Sequence, residues 1–110
     1  MDSQKFSWLV LAASVLAEVL GTLALRYAAS FTKFWPSAAV VACYSCAIWL
    51  MSVAVKQLEM GLAYAVWAGV GTALTALLGM VWFGEASSAL RIAGLGCIVF
   101  GVVALNLSTR

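Results

Sequence analysis

A single carboxylate, Glu18, stands in the middle of an otherwise uncharged run from Phe6 to Leu25. On insertion scales an acid at the centre of a bilayer costs at least about 2.5 kcal/mol, so such acids are rare and by default mark the path of an ion or substrate. This carboxylate can hold either protons or a cation, and each must leave before the other binds. We therefore expect Glu18 to be the proton- and cation-binding residue. The alternative is a structural hydrogen bond from a protonated Glu18 to a neighbouring helix.

Small and weakly polar residues surround Glu18 on the predicted helix. Ser14 and Thr22 lie four residues before and after it, and residues at this spacing share a helix face. Such a face leaves room for a ligand, and both residues are candidate substrate contacts. If two copies of Glu18 meet in a dimer, we expect them to titrate as a coupled pair.

Three aromatic residues bear on the identity of the cation. Tyr64 and Trp67 are three apart on the third predicted helix, and Tyr44 lies midway along the second. Aromatic faces attract quaternary or delocalised cations, each contact contributing roughly 0.5–2 kcal/mol. Membrane aromatics often serve only in packing or interfacial belts, but Trp67 lies deeper than a belt residue. We expect these three side chains to contact an organic cation.

Glycines mark candidate sites of bending and of close helix contact. Gly69 and Gly71 follow the aromatic pair in the third helix, where they are candidate hinge residues. Gly94 and Gly101 are seven apart on the fourth helix, which has no ionisable group after Arg91. Small residues at such spacing let another helix approach closely, so we expect a dimer contact there.

The composition is that of a membrane protein. Of 110 residues 65% are hydrophobic and 9% charged, whereas soluble domains have roughly 25% charged residues. Three further uncharged runs, 34–55, 60–84 and 92–109, are near the roughly 20 residues needed to cross a bilayer. Lipid offers no partners to backbone groups and the runs lack the alternation of barrel strands, so they are predicted to be helices. The fold class is all-α integral membrane, one domain over 1–110 with helices at about 6–27, 35–55, 61–82 and 90–107.

This arrangement disfavours several function classes. The four spans leave no soluble catalytic domain, and a net charge of +2 is too small to suggest a nucleic-acid partner. Cys43 and Cys46 have a C-x-x-C spacing, but they lie inside a hydrophobic helix without basic neighbours, which disfavours a metal or redox site. The chain has no histidine and no nucleophile beside a base. We expect neither an enzyme nor a cofactor.

The positive charges do not favour one orientation in the membrane. With four helices both termini lie on one side, and the lysines and arginines divide three against three, with Lys5, Lys56 and Arg110 on the terminal side and Arg26, Lys33 and Arg91 on the other. The balance is either accidental or a sign that copies insert both ways and pair antiparallel. Antiparallel pairing would create the inverted repeat on which many secondary transporters are built.

The sequence resembles a known family, the small multidrug resistance (SMR) transporters, over about Trp8 to Leu107. The resemblance rests on four segments: Ala17-Glu18-Val-Leu-Gly21-Thr22, Phe31-Thr-Lys-Phe-Trp-Pro-Ser37, Gly61-Leu-Ala-Tyr64-Ala-Val-Trp67-Ala-Gly-Val-Gly71 and Phe83-Gly84-Glu85. It implies an antiparallel homodimer in the bacterial inner membrane that exports organic cations in exchange for protons. By the same likeness both copies of Glu18 form a shared site lined by Tyr44, Tyr64 and Trp67, with a kink at Gly69 to Gly71 and a dimer contact at Gly94 and Gly101.

Within the family, Gly21-Thr22 is similar to the quaternary-ammonium and multidrug branch. The guanidinium-exporting branch usually has Gly-Trp at the second and third positions after the acid, where this chain has Leu20-Gly21. The chain also has Ala29-Ser30 where an acidic residue and Gly are common. The leading hypothesis is a proton-coupled exporter of hydrophobic or quaternary ammonium cations. The alternatives are a guanidinium exporter, one half of a heterodimer, and a non-transporting membrane subunit or scaffold.

Overall fold

The computed structural model describes residues 3–108 as four helices joined by short turns. The helices are α1 (Ser3–Ala28), α2 (Phe34–Ala54), α3 (Met60–Trp82) and α4 (Ala89–Ser108). Each is long and apolar enough to cross a membrane. The predicted all-α fold with four membrane-length helices is therefore confirmed. Arg110, which entered the charge count, lies outside the described residues.

Small residues at a seven-residue spacing bring α1 and α2 together. A seven-residue repeat keeps one face of a helix against its partner along its whole length, and small side chains let the two backbones approach closely. The pairing of α1 with α2 is the most extensive between helices. The buried residues at this spacing are Ser7, Ser14, Gly21 and Ala28 on α1, and Val40, Ala47 and Ala54 on α2.

The turn between α1 and α2 has an unusual backbone. Ala29, Ser30 and Phe31 have φ angles of 49°, 60° and 64°, in the left-handed region that costs an L-residue roughly 1–2 kcal/mol. The N–H of Thr32 donates to the carbonyl of Ala28 at 3.0 Å and closes the turn. A glycine, for which this conformation carries no such cost, is absent from the turn.

α3 packs against α1 on one side and against α4 on the other. Its first turns join a buried cluster of Leu11, Ala54, Leu58 and Ala63. Further along, a Cβ at Gly69 would lie 2.6 Å from Cγ2 of Val102, so this glycine is what lets α4 lie close to α3. No residue of α4 is buried within the described chain.

A glycine ends α3 and turns the chain back over its last turn. Gly84 has a φ of 67°, as is common just after a helix. The N–H groups of Phe83 and Glu85 both donate to the carbonyl of Gly79, at 3.1 and 3.0 Å. A Cβ at Gly79 would lie 2.9 Å from Cδ of Glu85. The turn therefore sets the Glu85 carboxylate against α3, beside the cavity described below.

Candidate functional site

Two rows of residues, each with a spacing of four, face each other across a cavity between α1 and α3. A spacing of four keeps side chains on neighbouring positions of one helix face. The cavity has a volume of about 560 Å³. Its walls include Glu18, Thr22 and Arg26 on α1, and Gly71, Thr75 and Gly79 on α3.

Glu18 lies at one end of this cavity, against α3. A Cβ at Gly71 would lie 2.9 Å from Cδ of Glu18 and would overlap Oε2, so the glycine provides the space that the carboxylate occupies. Oε2 of Glu18 is buried and has no hydrogen-bond partner among the described residues. The described chain therefore leaves this oxygen without the partner that a proton or a cation would provide.

The hydroxyl of Thr22 joins the cavity wall to α2. Its Oγ1 lies 2.5 Å from the hydroxyl oxygen of Tyr44. Gly21 allows this approach, because a Cβ there would lie 3.1 Å from both Cβ of Cys43 and Cδ1 of Tyr44. Two of the predicted site residues, Thr22 and Tyr44, are thus held together one turn from Glu18.

Ser14 is placed differently from its expected position at the cavity. Its side chain is fully buried between α1 and α2, where the hydroxyl donates to the carbonyl of Ala47 at 2.6 Å. Residues four apart differ by about 40° around a helix axis, because 3.6 residues complete one turn. Ser14 therefore lies about 40° around the axis from Glu18, and of this row only Glu18, Thr22 and Arg26 line the cavity. In the structure this hydroxyl joins two helices and does not line the cavity.

Tyr64 and Trp67 contact each other but do not line the cavity within one chain. Their ring centroids are 5.8 Å apart. Trp67 packs against the buried cluster, and its Nε1 is buried without a hydrogen-bond partner in the described chain. Tyr64 is exposed. Their role in cation binding stays a prediction.

The predicted hinge and dimer glycines occupy distinct environments. α3 is helical through Gly69 and Gly71, and these two residues contact α4 and Glu18 respectively, so their role as a hinge stays a prediction. On α4, a Cβ at Gly94 or Gly101 would meet no atom of the described residues within 4 Å. Both positions are open for a neighbouring helix.

A cluster at the other end of the cavity was not assigned a role from the sequence. Nη1 of Arg26 lies 3.5 Å from Oε2 of Glu85, and Cζ of Arg26 lies 4.6 Å from the centroid of the Phe83 ring. Tyr27 also contacts the Phe83 ring, with centroids 5.8 Å apart, and its hydroxyl accepts a bond of 2.9 Å from Nε1 of Trp82. The sequence feature that points to this cluster is the spacing of Arg26, which lies eight residues after Glu18 and four after Thr22 and so continues their row on α1.

Comparison with known proteins agrees with the resemblance. Residues 6–98 match the family described as Small Multidrug Resistance protein. The chain is 40% identical over 104 residues to the quaternary ammonium compound-resistance protein QacF of Klebsiella aerogenes. The matched residues cover 94% of each chain. It is 36% identical over 103 residues to the multidrug transporter EmrE of Escherichia coli, again over 94% of each chain.

The name of a third relative gives a different substrate. The chain is 37% identical over 103 residues to a guanidinium exporter of Yersinia pseudotuberculosis, over 94% of this chain and 99% of the relative. These relatives are transporters and not enzymes, and the four membrane-length helices agree with a place in the bacterial inner membrane. The chain belongs to the small multidrug resistance family of small-molecule efflux transporters.

Proposed function

We propose that the chain exports hydrophobic or quaternary ammonium cations in exchange for protons, and that Glu18 binds both. The observation that carries this proposal is that Glu18 lines a cavity of about 560 Å³ while its buried Oε2 has no hydrogen-bond partner among the described residues. Within residues 3–108, Glu18 is the one charged residue that lies in a helix interior, since Lys5, Arg26 and Arg91 lie near helix ends. No internal counter-charge therefore competes with a proton or cation there.

The charge of the Glu18 site is the reason why exchange of cations for protons is expected, and not the passage of either one alone. A protonated Glu18 is neutral, and a carboxylate with a bound monovalent cation is also neutral. The empty, ionised carboxylate carries a net charge, which is costly inside the bilayer. The site is therefore expected to switch between the two sides of the membrane only when a proton or a cation is bound. That restriction couples the flux of cations to the flux of protons.

The cavity walls and the resemblance favour an organic cation of the quaternary ammonium class. The end of the cavity at Arg26 and Glu85, whose side chains are exposed, is its mouth. Apart from Glu18 and this charged pair, the wall consists of aliphatic groups, the Phe83 ring and threonine hydroxyls. A quaternary ammonium ion has no N–H donor, so it can lie against such a wall without leaving a donor unpaired. A guanidinium ion carries several donors that need acceptors. Because relatives with both kinds of substrate in their names are similar to this chain, guanidinium export is the second candidate function.

A second copy of the chain, inserted in the opposite orientation, would complete the transporter. The uncovered Gly94 and Gly101 give α4 a small-residue face for another helix. Tyr64 and Trp67 lie outside the cavity of one chain, where a partner subunit can bring its own Glu18 near them. The balanced lysine and arginine count is what insertion in both orientations requires. We therefore propose an antiparallel homodimer.

The test is proton release from purified, detergent-solubilised protein in weak buffer near neutral pH. Tetraphenylphosphonium is added in one titration and guanidinium in another, and Glu18→Gln is the control. We expect tetraphenylphosphonium to release protons from the unchanged protein and not from the variant. Release by guanidinium alone would favour the second candidate function.

No release by either cation from folded, dimeric protein would contradict proton-coupled exchange. The alternative of a non-transporting scaffold predicts in addition that Glu18→Gln does not alter the resistance of cells to toxic cations. Growth of cells that express each protein, on plates with a toxic quaternary ammonium compound, separates the two hypotheses.

A further inference from the structure

The mouth of the Glu18 cavity already holds an organic cation, which is the guanidinium group of Arg26. Its Nη1 lies 3.5 Å from Oε2 of Glu85, and its Cζ lies 4.6 Å from the centroid of the Phe83 ring. A carboxylate beside an aromatic face is the combination that binds guanidinium and quaternary ammonium ions. The chain therefore provides a cation site and fills it with its own side chain.

The backbone at the end of α3 is shaped to build this site. Gly84 turns the chain, and the N–H of Glu85 donates to the carbonyl of Gly79 at 3.0 Å. The absence of a side chain at Gly79 leaves the space in which the Glu85 carboxylate lies. The Phe83 ring also contacts Tyr27, whose ring centroid is 5.8 Å away. The carboxylate and the ring thus have fixed supports that do not involve Arg26.

The Arg26 side chain is held weakly in comparison. The side chains of Arg26 and Glu85 are 58% and 44% exposed, and exposed ion pairs contribute little net stability. The guanidinium is on a long, flexible side chain that can turn towards water. A free cation of similar chemistry can therefore compete for the same carboxylate and the same ring face.

The site is continuous with the site of exchange. Glu18, Thr22, Thr75, Phe83 and Glu85 all line one cavity. Glu85 follows the end of α3 at Trp82, whereas Glu18 lies in the interior of α1. A cation that moves between water and Glu18 by this route passes the Glu85 carboxylate and the Phe83 ring.

We propose that Glu85 and Phe83 form an outer binding site for organic cations at the mouth of the Glu18 cavity, occupied by the guanidinium of Arg26 until a substrate cation displaces it. This proposal rests on the proposed function, because it supplies the entry or exit step of cation exchange at Glu18. When the substrate cation enters, the guanidinium of Arg26 moves out towards water. One positive charge replaces another beside Glu85, so the net charge at the mouth is the same with a cation bound.

Two tryptophans allow the outer and inner sites to be observed separately. Nε1 of Trp82 donates to Tyr27 beside the Phe83 ring, and Trp67 lies one helical turn from Gly71, which contacts Glu18. We would record the indole N–H signals of all five tryptophans by NMR in lipid nanodiscs during titration with benzyltrimethylammonium. Neopentylbenzene, an uncharged molecule of the same shape, is the ligand control.

The proposal predicts that the two signals respond independently. In Glu18→Gln, the Trp82 signal continues to shift with benzyltrimethylammonium while the Trp67 response is lost. In Glu85→Gln, the Trp82 response is lost and the Trp67 response remains. In Arg26→Gln, the half-saturating concentration at Trp82 falls by about fivefold, because the internal competitor is gone. Phe83→Leu, which keeps the apolar volume, raises that concentration.

Glu59→Gln is the matched charge control for Glu85→Gln, since Glu59 is exposed in the turn between α2 and α3, does not line the cavity and does not enter the count of lysines and arginines. This change should leave the Trp82 titration unchanged. A Trp82 response that disappears in Glu18→Gln, or that persists unchanged in Glu85→Gln, would overturn the outer site. The absence of any Trp82 response to the cation would also overturn the outer site, whatever the Trp67 signal shows. A Trp67 signal that fails to respond while Trp82 does would instead contradict the proposed function.

Discussion

The carboxylate of Glu18 lies in the space that a side chain at Gly71 would fill. A Cβ there would lie 2.9 Å from Cδ of Glu18 and would overlap Oε2. The acid on α1 and the glycine on α3 therefore form one unit, in which the missing side chain sets the position of the functional group. This contact accounts for the space that the polar end of Glu18 occupies between α1 and α3.

Gly71→Ala is expected to abolish cation-induced proton release. The added methyl group must displace the carboxylate or push α3 from α1, and overpacking of this kind typically costs about 1–3 kcal/mol. The measurement is the proton-release titration, together with thermal unfolding of the purified protein. Gly61→Ala is the matched control, because a Cβ at Gly61 meets nothing within 4 Å among the described residues. Normal release by Gly71→Ala would show that the observed contact does not position Glu18.

The pair formed by Thr22 and Tyr44 is expected to contribute to stability as a unit. Thr22→Val and Tyr44→Phe each remove one partner of the 2.5 Å contact. Interhelical hydrogen bonds in membrane proteins contribute about 0.6 kcal/mol on average and up to about 1.7. The expected coupling free energy from a double-mutant cycle of unfolding in mixed micelles lies in that range. Strictly additive effects would indicate that the two hydroxyls do not interact.

Ser30→Gly is expected to stabilise the protein. Ser30 has a φ of 60°, and replacing it by glycine removes a backbone cost of roughly 1–2 kcal/mol, partly offset by the greater freedom of glycine in the unfolded chain. The change should raise the midpoint of thermal unfolding. Ser45→Gly is the control with the opposite sign, because Ser45 lies inside α2 and glycine in a helix costs about 1 kcal/mol relative to alanine. A lower midpoint for Ser30→Gly would contradict the observed turn geometry.

Gly101→Leu is expected to dissociate the proposed homodimer without unfolding the monomer. A Cβ at Gly101 would meet no atom of the described chain within 4 Å, so the subunit has open space at this position, whereas a close helix contact would not. The measurement is the mass of the detergent-solubilised protein by light scattering, with helical content followed by circular dichroism. Gly61→Leu, which also adds a side chain to open space, should remain dimeric. An unchanged mass for Gly101→Leu would remove this glycine from the interface.

The sequence predicts much of the fold because the bilayer imposes strong constraints. Long apolar runs that lack the alternation of barrel strands must be helices in lipid, and the four such runs of this chain are found as helices. An isolated acid within such a run is costly, so Glu18 could be singled out without knowledge of any contact. Both inferences depend only on the environment and on no detail of packing.

The side chains around Glu18 were harder to predict because their direction depends on helix rotation. Ser14 shares a spacing of four with Glu18, yet its hydroxyl faces Ala47 of α2. Glu85 is far from Glu18 in the sequence and reaches the cavity only through the turn at Gly84 and the space at Gly79. Neither position follows from local periodicity, since each depends on where a second helix lies.

Exchange of protons for cations at Glu18 is tested most simply by the accumulation of a cation that a proton gradient drives. Purified protein is reconstituted into liposomes that are acidic inside, and uptake of radiolabelled tetraphenylphosphonium is compared between the unchanged chain, Glu18→Gln and the exposed-charge control Glu59→Gln. Because the membrane voltage also drives this cation, potassium and valinomycin hold that voltage at zero. We expect uptake by the unchanged chain and by Glu59→Gln, and none by Glu18→Gln. Equal uptake by all three proteins, or uptake that does not depend on the pH difference, would contradict exchange of protons for cations at Glu18.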